Sequence, residues 1–359
     1  MRSRIVAAAL VVTVAAVTAA AAPATASQTT ATPTSAAVAT GPAPTTTGGA
    51  CSPTVRMLAF SDRLDKTTFD GRVVGNFSAL AAQRDGSVLA LSDRSVLFTL
   101  DRSADRPLAA QPLADRAGAP LDSEALVVDR DRTRFVTSET EPSIRRFAPD
   151  GRLLGELPVP AELRVAPAGR ATTNATFEGL ALQPGGRTLV ASMEGPLTGD
   201  DPGLVRFPTW TRPHPGAPFV PSAQYAFRPA PGLGVSDIAP TGDGRLLVLE
   251  RGFTAGVGNT VRLVLADPRG ATDVRGVPRL SAATSTMTTV PLADLGDCPT
   301  LGATARQPQR NPLLDNIEGM TVTGRGPHGT LRVLLISDDN ENPAQITRTY
   351  RAGVTLPRR

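Results

Sequence analysis

The feature that most limits what this chain can fold into is a hairpin-sized motif that recurs along it. Its clearest copy is Phe177-Glu178-Gly179-Leu180-Ala181-Leu182, a Pro184-Gly185-Gly186 turn, and a return through Leu189-Val190-Ala191 to Glu194. Alternating leucines predict one strand, the Pro-Gly-Gly group a tight turn, and the apolar return a second strand. In an antiparallel hairpin the start of the first strand lies beside the end of the second, so Glu178 and Glu194 are expected at the same end. The same unit runs from Phe77 to Asp93, from Asp122 to Glu139, from Val235 to Glu250 and from Asn316 to Asp338, each with its own Gly- or Asp-bearing turn. After most copies a third strand, and often a fourth, can be drawn before the next copy. Such a unit leaves both sheet faces wet by itself, and stacking copies face to face buries them.

The fold expected is therefore all-β: a β-propeller of four-stranded antiparallel blades. Five repeats are clear, and a composite blade built with the N-terminal strands makes six the expected count. A β-sandwich is the runner-up, but sandwiches lack an internal repeat of this kind. The core must rest on Leu, Val, Ile and Ala, because aromatic residues are only 4% of the 359 residues.

The repeats also carry acids at matching places. Glu124, Glu178, Asp237 and Glu318 open first strands, with Ser78 in the corresponding place of the first repeat. Asp93, Glu139, Glu194, Glu250 and Asp338 close second strands. If the sheets are ringed, these carboxylates converge on one mouth of the central channel. Carboxylates so crowded require protons or cations. Oxygen-only ligands favour Ca²⁺ or Mg²⁺ over zinc or copper, and a divalent cation, Ca²⁺ first, is the expected cofactor. The candidate metal ligands are Asp93, Glu139, Glu194, Asp237, Glu250, Asp338 and Asp339, with Asp338-Asp339-Asn340 the densest donor group. Glu124, Glu178 and Glu318 are candidates for acid–base work, and Arg94 and Arg251 for holding an anionic group. The competing reading makes the acids caps that tie blades together, with Arg94 and Arg251 as their partners.

Other chemistries lack their residues. There is no G-x-S-x-G elbow and no phosphate-cradling P-loop, and His214 and His328 both sit in loop sequence. Formal charge is +4 and Lys66 is the only lysine, but the arginines are scattered and matched by acids, so nucleic acid is not an expected partner.

Residues 1–26 read as a signal peptide: Arg2 and Arg4, an apolar run from Ile5 to Ala22, and the small-residue site Ala24-Thr25-Ala26. An uncleaved anchor is the alternative for this run. Residues 27–50, rich in Thr, Ala and Pro, are expected to be a disordered leader, and residues 51–359 the propeller domain. In an exported chain with two cysteines, Cys51 and Cys298 are expected to form one disulfide; two separate buried thiols are the alternative. The expectation is a secreted monomer, free of the membrane after cleavage.

Several segments resemble a known family. Phe177-Glu178-Gly179-Leu180-Ala181-Leu182, Ala191-Ser192-Met193-Glu194-Gly195-Pro196-Leu197, Leu246-Leu247-Val248-Leu249-Glu250-Arg251-Gly252, Asn316-Ile317-Glu318-Gly319-Met320 and Ile336-Ser337-Asp338-Asp339-Asn340 look like the phytase-like domain of secreted bacterial proteins, often labelled esterase-like activity of phytase. The resemblance runs from about Val55 to Tyr350. It departs at Ala79, where the family usually has Gly, and at Ser123, where Pro is common. It implies metal-assisted hydrolysis of a phosphate or carboxylic ester at an acidic mouth, acting on a small anionic or ester substrate. A non-catalytic binding propeller and a calcium-dependent lactonase are the alternatives.

Overall fold

The computed structural model describes residues 48–358. The signal peptide and nearly all of the leader expected from sequence lie outside the described residues. Five antiparallel sheets form the blades of a propeller. Blade 1 contains Phe77–Ala82, Val88–Ser92, Val96–Leu100 and Pro107–Pro112. Blade 2 contains Ser123–Val128, Arg134–Ser138, Ser143–Phe147 and Leu153–Glu156. Blade 3 contains Phe177–Leu182, Thr188–Met193, Val205–Thr211 and Val220–Phe227, and blade 4 contains Gly234–Pro240, Leu246–Thr254, Gly258–Asp267 and Thr288–Asp294. Blade 5 takes Asn316–Arg325, Leu331–Asp338 and Thr349–Val354 from the end of the chain and Val55–Ser61 from its beginning.

The blade count is thus five, not six. The N-terminal strand completes the fifth repeat by pairing Val55 with Val354 and Ser61 with Thr349, so no strands remain for a separate composite blade. The short hairpin Thr67–Phe69 and Arg72–Val74 is a two-stranded sheet of its own. Gly49–Ala50 adds an edge to blade 5.

The packing follows from the alternation of side chains. Five of the apolar clusters lie between neighbouring blades. On the strand Leu246–Thr254, Leu246 and Val248 pack with blade 3, whereas Leu247 and Leu249 pack with blade 5. Each middle strand is buried on both faces, which is why these segments read as unbroken apolar runs. The innermost strands pack side by side around the ring, from blade 1 through blade 5 and back.

Two devices hold the closure. Cys51 and Cys298 are disulfide-bonded, joining the segment just before Val55–Ser61 to the segment after blade 4. Arg348, fully buried, binds Asp62 through Nε and Nη2 at 2.5 and 2.8 Å, tying blade 5 to the strand that completes it.

Candidate functional site

In every first hairpin the register slips by one residue near the same end. Phe77 pairs with Ser92 and Ala79 with Leu91, leaving Ser78 as the extra residue. Glu178 in blade 3 and Glu318 in blade 5 are extra in the same way, and in blade 2 the slip falls around Glu124. A β-bulge bends the strand and re-aims its unpaired side chain. Here it turns Glu124, Glu178 and Glu318 toward the mouth. The glycine that follows is explained by crowding: a Cβ on Gly179 would lie 2.5 Å from Ser192 Oγ and 2.8 Å from the Ile238 nitrogen.

The second strands supply the outer set. Asp93, Glu139 and Glu194 each follow the residue paired with the start of the first strand, and Asp338 pairs with Asn316, one step beyond Ser337. With the bulge residues they bring seven carboxylates from four blades to one mouth.

Blade 4 differs from the sequence reading by one residue. There Val235 pairs with Glu250 and Asp237 with Leu249, so the bulge residue is Ser236 and the residue beyond the paired position is Arg251. A slip of one residue reverses the face of every side chain. Glu250 therefore stands where Met193 stands in blade 3, turned toward the blade 3 side, where Arg262 and the Ala230 N–H face its carboxylate. Asp237 stands at the Gly179 position. Its carboxylate accepts from the N–H of Ile238 and from the N–H of Met320, both at 2.7 Å, and clasps blade 4 to blade 5. Neither reaches the mouth as expected from sequence. Asp339 is also engaged elsewhere: it accepts from Lys66 Nζ at 2.5 Å and from the Asn76 N–H at 3.2 Å, holding the small hairpin down.

The mouth is densely coupled. Asp122, Glu124 and Glu139 offer oxygens within 4.8 Å of one another, and so do Glu139, Glu178 and Glu194, with Glu139 common to both groups. Asp122 was not legible as a site residue; it opens the second repeat just ahead of the strand, in a left-handed conformation with φ of 53°. Burial, followed by the charges of Glu124, Glu194 and Glu139, holds the Glu178 carboxyl well above its ordinary range. Burial and then Glu318 and Glu139 do the same to Glu124, which Ser78 hydrogen-bonds. Glu139 is pushed up to about 7, by burial first and by Glu194 next, while Glu178 bonds to it. Burial and Glu318 raise Asp338 to about 8, and burial raises Asp93 to about 6.

Arg251 is the half-buried cation among them. It lies 3.0 Å from Glu318, which also accepts from Asn316 Nδ2 at 2.9 Å. Glu178, Glu194 and Asp338 add to the field that keeps its guanidinium charged. Its Nε is buried with no hydrogen-bond partner among the described residues, as is Asp93 Oδ1. Arg94 stays at the rim, mostly exposed, 3.6 Å from Asp93 and 3.3 Å from Glu341. Behind the carboxylates the channel becomes apolar, a cavity of about 180 Å³ lined by residues such as Leu80, Leu126, Leu180, Ile238 and Met320. A separate cavity of about 550 Å³ lies between blades 3 and 4 at the turn end, away from the acids of the mouth.

Residues 72–341 match the phytase-like family, described as esterase-like activity of phytase. The chain belongs to this family. No curated protein matches it. Among solved structures it is similar to a gluconolactonase of Xanthomonas campestris, with 14% identity, a TM-score of 0.40, and 79% of this chain and 74% of the other covered. It is also similar to the Swd1 β-propeller domain of Myceliophteria thermophila, with 10% identity, a TM-score of 0.38, and 80% and 86% covered.

The mouth of this phytase-like propeller fits a hard divalent cation. Its donors are carboxylate, hydroxyl and amide oxygens, without thiolate or imidazole, and they are buried and in excess over cationic side chains. Among the described residues no helix is long and apolar enough to cross a membrane.

Proposed function

We propose that this phytase-like propeller is an ester hydrolase, acting on a phosphate or carboxylic ester at the acidic mouth with the help of a divalent cation, Ca²⁺ by preference. The observation that carries the reading is the Glu139–Glu178 pair. Their oxygens lie within 4.8 Å of each other and of Glu194; burial raises both carboxyls, and the hydrogen bond from Glu178 acts to lower Glu139, the effect of a protonated carboxyl donating to an ionised one. An acid and a base side by side, with the base poised near neutrality, is what hydrolysis at pH 7 requires.

In this reading Glu139 takes a proton from the attacking water as its oxygen bonds to the ester carbon or phosphorus. The bond to the leaving oxygen breaks, and Glu178 supplies that oxygen with its proton. The proton gained by Glu139 then passes back along the shared hydrogen bond. Arg251, whose side chain is partly exposed beside Glu318, holds the charge that develops on the substrate oxygen. A bound divalent cation would add Lewis-acid polarisation, with Asp122, Glu124, Glu139 and Glu194 as its holders. Export of the chain is supported by the apolar N-terminal run and by the Cys51–Cys298 disulfide.

The test is hydrolysis by the purified mature chain, with calcium and with chelator. Substrates are inositol hexakisphosphate, a phenyl phosphomonoester, a short carboxylic ester and a lactone. Turnover that vanishes with chelator and in Glu178→Gln, while folding persists, is the expected result. No turnover of any ester at any calcium level would leave a binding propeller as the answer.

A further inference from the structure

The middle hairpin of blade 4 is longer than its counterparts. The strands Leu246–Thr254 and Gly258–Asp267 continue past the end of the inner strand, which stops pairing at Gly234 opposite Arg251. Beyond that point Gly252 pairs with Thr260, Phe253 with Asn259 and Thr254 with Gly258, so a two-stranded flap projects from the rim of the mouth. Both sides of the flap are braced. A Cβ on Gly252 would lie 2.7 Å from the Gly232 carbonyl oxygen, and the Asn259 N–H donates to Gln309 Oε1 at 2.8 Å.

Side chains two apart on a strand share a face. Leu247, Leu249, Arg251 and Phe253 form one such row. The first two are buried against blade 5, Arg251 reaches Glu318 of that blade, and Phe253 stands next in line, 56% exposed. Val257 at the flap tip is 55% exposed. The ring thus stands exposed on a braced hairpin, one step outward from the half-buried cation of the site.

We propose that Phe253 is a specificity-determining residue: it packs against an apolar substituent of an ester whose polar head lies at Arg251. This rests on the reading of the mouth as an ester-binding site and names its substrate class. Charge points the same way. Eight acids, Asp93, Asp122, Glu124, Glu139, Glu178, Glu194, Glu318 and Asp338, face Arg251 inside and Arg94 at the rim. A polyanion such as inositol hexakisphosphate meets repulsion there, whereas an ester with one polar head and an aryl or alkyl arm meets one cation and one apolar platform.

The experiment is calorimetric binding of methylphosphonate and benzylphosphonate to the mature chain in calcium, with Phe253→Ala and Phe253→Leu alongside. Benzylphosphonate is expected to bind wild type about two- to tenfold more tightly than methylphosphonate, the range for an aromatic pair. Phe253→Ala should erase that ratio without weakening methylphosphonate, and Phe253→Leu should retain part of it. Equal affinity of wild type for both ligands, or an unchanged ratio in Phe253→Ala, would overturn the role of Phe253 and leave the mouth as a site. Failure of both phosphonates to bind would overturn the site itself and this inference with it.

Discussion

The protons held by the mouth make the stability of this fold depend on pH and on divalent cation together. Asp338 is one such group, buried and raised from an ordinary 3.8 to about 8. A carboxyl that binds its proton more tightly folded than unfolded contributes stability that is complete below about pH 4 and is lost as pH rises through 8. The slope for one such group is about 1.4 kcal/mol per pH unit. Glu139, raised to about 7, and Asp93, raised to about 6, act in the same direction over narrower windows. Their charges oppose one another, so ionising one leaves its neighbours protonated for longer. Over the three units from pH 5 to pH 8 that slope comes to about 4 kcal/mol for Asp338 by itself, and the coupling keeps the combined loss below a simple addition of the three groups. A divalent cation competes with these protons for the same oxygens, so it binds the ionised cluster at pH 8 and little at pH 5. At a hundredfold excess over its dissociation constant it stabilises by about 2.7 kcal/mol, or about 5 °C in Tm for a domain of this length. The assay is calorimetric melting of the mature chain at both pH values, in chelator and in millimolar calcium. In chelator Tm should fall from pH 5 to pH 8, calcium should restore it at pH 8 alone, and Glu139→Gln/Glu178→Gln should abolish the restoration. A calcium shift of equal size at both pH values, or none at pH 8, would refute the reasoning.

Other outcomes follow from single contacts. Glu250→Gln should leave turnover within about twofold of wild type, whereas Arg251→Ala should lower kcat by about a hundredfold or more, the usual cost of losing a donor to a developing oxyanion; steady-state kinetics on one ester separates them. Asp129→Ala should cost about 3–5 kcal/mol in urea unfolding, because it strands Arg212, which binds both Asp129 oxygens at 2.7 Å from the neighbouring blade. Replacing Cys51 and Cys298 by Ser should cost about 2–5 kcal/mol by freeing a loop with a sequence separation of 247, with the calcium shift at pH 8 unchanged.

The ring was legible because its cause is local. A hairpin buried on both faces must write apolar residues on both strands, and the turns Pro184-Gly185-Gly186 and Gly242-Asp243-Gly244 mark each return. The convergence of Glu124, Glu178, Glu318, Asp93, Glu139, Glu194 and Asp338 followed from antiparallel pairing alone. The blade number was not legible, since a strand that closes the last blade looks the same in sequence as one that starts another. Only the pairing of Val55 with Val354 distinguishes them. The error in blade 4 has a sharper cause. Aligning acid on acid placed Asp237 with Glu178 and Glu250 with Glu194, but the fold aligns bulge on bulge, and bulges leave little trace in composition. The apolar neighbours held the answer: Val235, not Ser236, matches Phe177 and Ile317 in the buried row.

That one-residue difference decides what the mouth can do. Five equivalent blades would place an acid at all five outer positions, and such a ring could only gather cations. With Ser236 and Arg251 in blade 4, the ring has a side where negative charge is relieved rather than added. The proposed cation holders Asp122, Glu124 and Glu139 come from blade 2 and its approach, whereas Arg251 stands in blade 4 beside Glu318 of blade 5. Glu178 of blade 3 lies between them, close enough to bond Glu139 and to feel the guanidinium. A polar ester placed over Glu178 would thus have a cation-gathering wall on one flank and a fixed guanidinium on the other. Because the asymmetry comes from strand register rather than from a loop, it is fixed by the same hydrogen bonds that hold the blade together.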